Sequence, residues 1–107
     1  MTAAGKLENV NVILKANVYF DGKVVSHKVE FKDGSVKTVG VIYPGSYNFK
    51  SGVPERMDVT AGTCMVRLAG AKEWKTYIEG AFFEVPGNSS FEIEVLSGIM
   101  EYLCSYL

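Results

Sequence analysis

Gly80-Ala81-Phe82-Phe83-Glu84-Val85-Pro86-Gly87-Asn88-Ser89-Ser90-Phe91 shows in one stretch how the whole chain is built. Two turn signals, Gly80 and Pro86-Gly87, bracket a strand-length segment, Ala81 to Val85, and another begins at Phe91. Glycine accepts a positive φ at no steric cost, and proline has no N–H to give a sheet, so each ends a strand for a backbone reason. The same punctuation recurs at Asp21-Gly22, Asp33-Gly34, Pro44-Gly45, Ser51-Gly52, Ala61-Gly62, Gly70, Glu79-Gly80 and Ser97-Gly98, with successive turn glycines 7 to 12 residues apart. Segments that short leave little room for ordinary helices, and the spacing predicts an all-β sandwich or barrel. Gly40 sits instead inside the apolar run Val39-Gly40-Val41-Ile42, which predicts a bulge or a close approach there.

Between the turns, apolar residues alternate. Val10, Val12, Leu14, Ala16, Val18 and Phe20 hold one parity, and their β-branched content favours a strand over a helix. Lys23 to Phe31, Val59 to Leu68, Trp74 to Ile78, Ala81 to Val85, Phe91 to Leu96 and Ile99 to Tyr106 each suit a short strand. At 107 residues the chain is expected to be one domain, with residues 1–17 forming an additional edge strand. A Val-rich edge invites a second chain, so a homodimer is expected.

Charge excludes several partners. Eleven Lys and Arg against twelve Asp and Glu leave a net charge of −1. That balance argues against nucleic acid held by a basic field and against a polybasic membrane anchor. No apolar run approaches a transmembrane length, and Met1 to Lys15 lacks a signal-peptide layout. Two cysteines, Cys64 and Cys104, are too few for a disulfide scaffold, so a cytoplasmic protein is expected, with Cys104 a small buried thiol. The single histidine, His27, excludes any site that needs two His from one chain, and it reads as a surface or partly buried strand residue.

Two segments combine turn glycines with specific polar residues: Pro54-Glu55-Arg56-Met57-Asp58-Val59-Thr60-Ala61-Gly62 and the opening stretch Gly80 to Phe91. Glu55, six residues, Gly62 and then Gly80, five residues, Pro86 resemble the two motifs of the cupin superfamily, a small antiparallel β-barrel or jelly roll. Many cupins place a His-x-His pair ahead of that Glu and a further His in the second motif. Here those positions hold Phe49, Ser51 and Phe91. Glu55 alone cannot make a site of the 2-His-1-carboxylate type, so the barrel is expected to be metal-free.

The strings Tyr19-Phe20-Asp21-Gly22-Lys23-Val24, Pro54-Glu55-Arg56-Met57, Val85-Pro86-Gly87-Asn88-Ser89-Ser90-Phe91 and Tyr102-Leu103-Cys104-Ser105-Tyr106-Leu107 narrow the likeness. Together they resemble the small cupin-type pyrimidine/purine nucleoside phosphorylases of bacteria, from about Val18 to Leu107. The resemblance implies phosphorolysis of nucleosides to free base and ribose 1-phosphate, with phosphate as co-substrate and no organic cofactor. Composition and spacing alone do not suggest that activity.

Such a reaction needs a seat for a planar base, groups for the ribose and a grip on phosphate. Tyr47, Phe49, Phe91 and Tyr102 are the candidate contacts for base or ribose, each with an alternative reading as barrel core. Glu55 is the candidate catalytic residue: it hydrogen-bonds the ribose hydroxyls or orients a donor, or else it pairs with a nearby Arg or Lys. Arg56 is the first candidate for phosphate, although its strand parity opposes that of Glu55, with Arg67, Lys23 and Lys37 as alternatives. Asn88 and Ser89 follow Pro86-Gly87 in a tight turn that either cradles an anion or is merely polar. Two other function classes fit the same chain. One is a different metal-free cupin enzyme, an isomerase or lyase acting on a sugar or small acid; the other is a non-catalytic module that binds a metabolite.

Overall fold

The regular turns produce a nearly all-strand molecule. The computed structural model describes residues 5–107. Among them, eleven strands run in chain order: β1 (Asn11–Val12), β2 (Asn17–Tyr19), β3 (Val24–Glu30), β4 (Val36–Ile42), β5 (Gly45–Ser51), β6 (Glu55–Ala61), β7 (Thr63–Leu68), β8 (Lys75–Ile78), β9 (Phe82–Val85), β10 (Ser89–Val95) and β11 (Met100–Tyr106). Every pairing is antiparallel. A seven-stranded sheet has the order β1-β3-β4-β11-β6-β9, with β2 also on β3, and a four-stranded sheet has the order β5-β10-β7-β8. Neighbours in space are mostly distant in sequence (β11 lies between β4 and β6), which is the crossing pattern of a jelly roll.

Strand parity decides what lies between the sheets. Val24, Ile42, Met57, Val59 and Cys104 from the seven-stranded sheet meet Tyr47, Val66, Phe91 and Ile93 from the four-stranded one in a single buried cluster. Ile93 and Val59 are wholly buried, and each such side chain contributes about 1.5–3 kcal/mol of hydrophobic stabilisation. The alternate residues face outward. Arg67 on β7 bonds Glu92 on β10 at 2.7 Å, on the outer face of the smaller sheet.

Two strand expectations need correction. The even parity from Val10 to Phe20 does not form one strand: β1 and β2 are separate pieces along β3, and Phe20 to Gly22 make a turn. Neither Leu14 nor Val18 is buried, so the alternation there reports an exposed edge rather than a core face. Asn11–Val12 and Asn17–Tyr19 each pair with β3; residues 1–4 lie outside the described residues. Val59 to Leu68 is likewise two strands, broken at Gly62, whose φ of 81° turns the chain from one sheet into the other. His27 is half-buried on β3, with Nδ1 3.1 Å from the Ile13 carbonyl oxygen, in keeping with its strand reading.

Gly40 is a close approach. It pairs directly with Tyr102 across β4 and β11, and a Cβ built on it would lie 2.6 Å from the Tyr102 ring and hydroxyl. The bulge is elsewhere, in the β6–β11 pairing between Glu101 and Tyr102. Gly40 therefore lets the Tyr102 ring lie flat over β4. Gly40→Ala should lower unfolding stability by about 1–3 kcal/mol, because an enclosed ring must move to make room. Chemical denaturation checks this, and an unchanged midpoint would show that the ring yields freely.

Candidate functional site

The barrel is not packed solid. A cavity of about 460 Å³ lies between the two sheets, within the range of small-molecule sites. Its walls differ in chemistry because they come from different sheets. Phe49 on β5 and Phe91 on β10 line one side, joined by Phe20 from the turn after β2. Ser26 on β3, Thr38 on β4, Glu55 on β6 and Tyr102, Cys104 and Tyr106 on β11 line the other.

The aromatic wall is fixed by register. Phe49 and Phe91 are directly paired across β5 and β10, and their rings stack 5.5 Å apart at 22°. Phe20 meets Phe49 edge-on at 5.4 Å, and Phe83 meets Phe91 edge-on at 5.7 Å. Such pairs add about 0.5–1.5 kcal/mol each beyond burial.

The polar wall centres on Glu55. Its Oε1 accepts from the Cys104 thiol at 3.7 Å, and among the described residues no Lys or Arg forms a salt bridge with it. The expected alternative, an ion pair, is therefore not seen. Burial pushes the Glu55 carboxyl above its usual range, and the Cys104 hydrogen bond opposes this only in part. The Cys104 thiol is itself pushed up to about 12, first by burial and then by the Glu55 charge, so it stays protonated and can donate. Burial also raises the Tyr102 phenol, with the Ser26 hydroxyl working against it. Asn17 Nδ2 donates to Ser26 Oγ at 3.3 Å, and the Tyr106 and Thr38 hydroxyls lie 3.3 Å apart.

Glu55, Phe49, Phe91 and Tyr102 are thus brought together at one cavity, and the other expected site residues are not. The Tyr47 ring packs against Phe20 at 5.0 Å, and its hydroxyl donates to the Tyr43 and Pro44 carbonyls at 2.7 and 3.1 Å, away from the cavity. Arg56 lies on the opposite face of β6, bonded to buried Asp58 at 3.2 Å and stacked 3.8 Å over Phe82, as its parity requires. The Asn88–Ser89 turn makes a poor anion cradle, because both amides are already used: Asn88 N–H donates to Gly52 O at 2.9 Å and Ser89 N–H to Ser51 Oγ at 3.1 Å. Arg67 is held by Glu92 and lies over Trp74, and Lys37 lies over Phe31. The sequence reading missed Phe20, Lys50, Cys104 and Tyr106, all of which line the cavity. Lys50 alternates with Phe49 and Ser51, and it meets the cavity because β5 is an edge strand.

The larger groove, about 810 Å³, lies on the outer face of the seven-stranded sheet, over Val25, Val39, Val41 and Leu103. It lacks the paired aromatic and hydroxyl walls, so the inner cavity is the better candidate for chemistry.

A model of the pyrimidine/purine nucleoside phosphorylase family matches residues 14–106. The chain belongs to that family. A protein named pyrimidine/purine nucleoside phosphorylase from Burkholderia vietnamiensis (strain G4 / LMG 22486) is 57% identical over 107 residues, covering 100% of both chains. The solved structure of a protein of unknown function from Acinetobacter sp. ADP1 superposes with a TM-score of 0.94 at 42% identity, over 97% of this chain and 100% of that one. The cupin domain of Drosophila melanogaster CENP-C superposes with a TM-score of 0.70 at 14% identity, over 90% of this chain and 70% of that one, and shares the fold alone. The barrel has a cupin-type, jelly-roll fold.

Within this phosphorylase family member, the donor set does not fit a cupin metal. Phe49 and Phe91 offer no ligand atom, and Ser51 Oγ is committed to the Pro86 carbonyl at 2.6 Å. Among the described residues, no three His, Cys, Asp or Glu side chains converge.

Ionised Glu55 costs the fold stability, because its carboxyl is raised by burial. The cost is absent below the ordinary carboxylate range and appears as pH rises through the raised value. Glu55→Gln should therefore match the wild type near pH ~4 and become the more stable of the two between about pH 5 and 7. Thermal melts across that range check the sign, and a variant less stable at neutral pH contradicts it.

Proposed function

We propose that this chain catalyses phosphorolysis of purine and pyrimidine nucleosides without a metal ion. A phosphate oxygen bonds to ribose C1′ while the bond from C1′ to the base nitrogen breaks. The base leaves with that electron pair and takes up a proton, giving free base and ribose 1-phosphate. By analogy with other glycosyl transfers the transition state resembles an oxocarbenium ion, so the protein must hold the reactants in line and tolerate charge at the sugar.

The two unlike walls of the cavity carry this reading. A heterocycle stacks on Phe49, and since every base has a π-face, such a wall tolerates both purines and pyrimidines. Glu55 accepts from the ribose hydroxyls and offers a negative charge near the developing cation, while Cys104 holds the carboxylate in place. Lys50 on the rim is the phosphate grip, because it is the one Lys or Arg among the described residues that line the cavity. The name carried by full-length relatives supports the substrate class.

A homodimer belongs to the same reading. β1 and β2 are two short strands that each pair with β3, and their Val12 and Val18 are exposed. The two free cysteines suit a reducing, cytoplasmic setting. Sedimentation as a monomer at micromolar concentration would contradict the dimer.

The test is release of free uracil from uridine and free adenine from adenosine. Release should require added phosphate and survive a chelator. Glu55→Gln should lower turnover at least ~10-fold, about 1.4 kcal/mol of transition-state stabilisation, and Lys50→Ala should raise KM for phosphate with little effect on that for nucleoside. Release without phosphate, or full activity in Glu55→Gln, contradicts the assignment. A nucleoside that raises the melting temperature without being turned over points to a binding module.

A further inference from the structure

Phe20 stands in a conformation that a bulky side chain avoids. Its φ is 52°, followed by 55° at Asp21 and 89° at Gly22. Only Gly22 adopts that left-handed region without cost, and a phenylalanine there is a genuine outlier. The turn closes with Lys23 N–H donating to the Phe20 carbonyl at 3.1 Å. The result is to swing the ring off the β2 edge and over the cavity mouth, onto Tyr47 at 5.0 Å and Phe49 at 5.4 Å. Yet Phe20 remains 44% exposed, so the strained backbone brings it less burial than an ordinary core position would. Strain of this kind persists where the surrounding structure holds it for a purpose, and it clusters at ligand clamps.

We infer that Phe20 is the outer wall of the base subsite: its ring, delivered by the left-handed turn Phe20-Asp21-Gly22, closes on the heterocycle of a bound nucleoside at the mouth of the Phe49–Phe91 cavity. The inference rests on the nucleoside reading of that cavity and adds a residue that sets affinity for the base, independent of the phosphate grip. The interaction is with the π-face, so purines and pyrimidines both depend on it.

Calorimetry of uridine and adenosine binding without phosphate tests it, with turnover in phosphate scored separately. Phe20→Leu keeps apolar bulk over Tyr47 and Phe49 but removes the aromatic face. It should weaken both nucleosides at least fivefold, whereas Phe20→Tyr should stay within twofold of the wild type. Phe20→Gly relieves the backbone, so it should weaken binding as Phe20→Leu does while melting no lower than the wild type. Unchanged affinity in Phe20→Leu, or a Phe20→Gly protein that melts lower yet binds normally, would show that the ring only covers the core and would overturn the inference. A wild type that binds nucleosides but releases no base would contradict the reaction and leave the affinity comparison standing. One that binds no nucleoside would overturn both.

Discussion

Phe49 and Phe91 stack on each other along one sheet instead of reaching across the barrel, and the cavity follows from that contact. Their strands pair in register, so the rings sit side by side at 5.5 Å and brace one wall. Rings directed across would fill the space that the hydroxyls and Glu55 now face. Other elements add to this row: Phe83 on β9 of the larger sheet meets Phe91 at 5.7 Å, Tyr77 on β8 meets Phe83 at 5.0 Å, and Phe20 meets Phe49 at 5.4 Å. Protein interiors seldom leave such a space empty, because unfilled volume forfeits dispersion contacts. A cavity lined on one side by π-faces and on the other by hydroxyls is arranged for a guest with one flat apolar part and one hydroxylated part.

The opposite wall shows what the fold gives up for that arrangement. Glu55 is half-buried with a thiol as its hydrogen-bond donor, where a structural carboxylate would have a cation. Asp58, three residues on and facing the other way, shows the structural solution: it is buried against Arg56. Adjacent faces of one strand thus hold a compensated carboxylate and an uncompensated one. That contrast is the ground on which we propose Glu55 as the functional group and Asp58 as part of the scaffold. Gly40 and Tyr102 serve the same wall, since the flat Tyr102 ring lies against a strand position with no side chain.

Much of this was legible in the sequence because strand parity is a local property. Turn glycines gave the strand lengths, and the cupin-like spacing put Glu55, Phe49 and Phe91 on inward positions. Parity also warned that Arg56 faced away. What was hidden depends on long-range register or on backbone conformation. Cys104 reaches Glu55 through the β6–β11 pairing, whose register shifts at a bulge. Lys50 reads as an outward residue until β5 is known to be an edge. Phe20 reads as the end of an alternating run, because nothing in a phenylalanine announces a positive φ. The Asn88–Ser89 turn looked free to bind an anion, since its ties to Gly52 and Ser51 link segments far apart in the chain.

The central claim is that the space between the two sheets holds a nucleoside. A crystal structure of the protein soaked with uridine and sulfate tests it most directly. The account predicts the uracil ring in face-to-face contact with the Phe49 side of the cavity and the ribose hydroxyls within hydrogen-bond distance of Glu55. Uridine seated instead in the outer groove over Val39 and Leu103, or an inner cavity that remains filled only by water at saturating nucleoside, would contradict it.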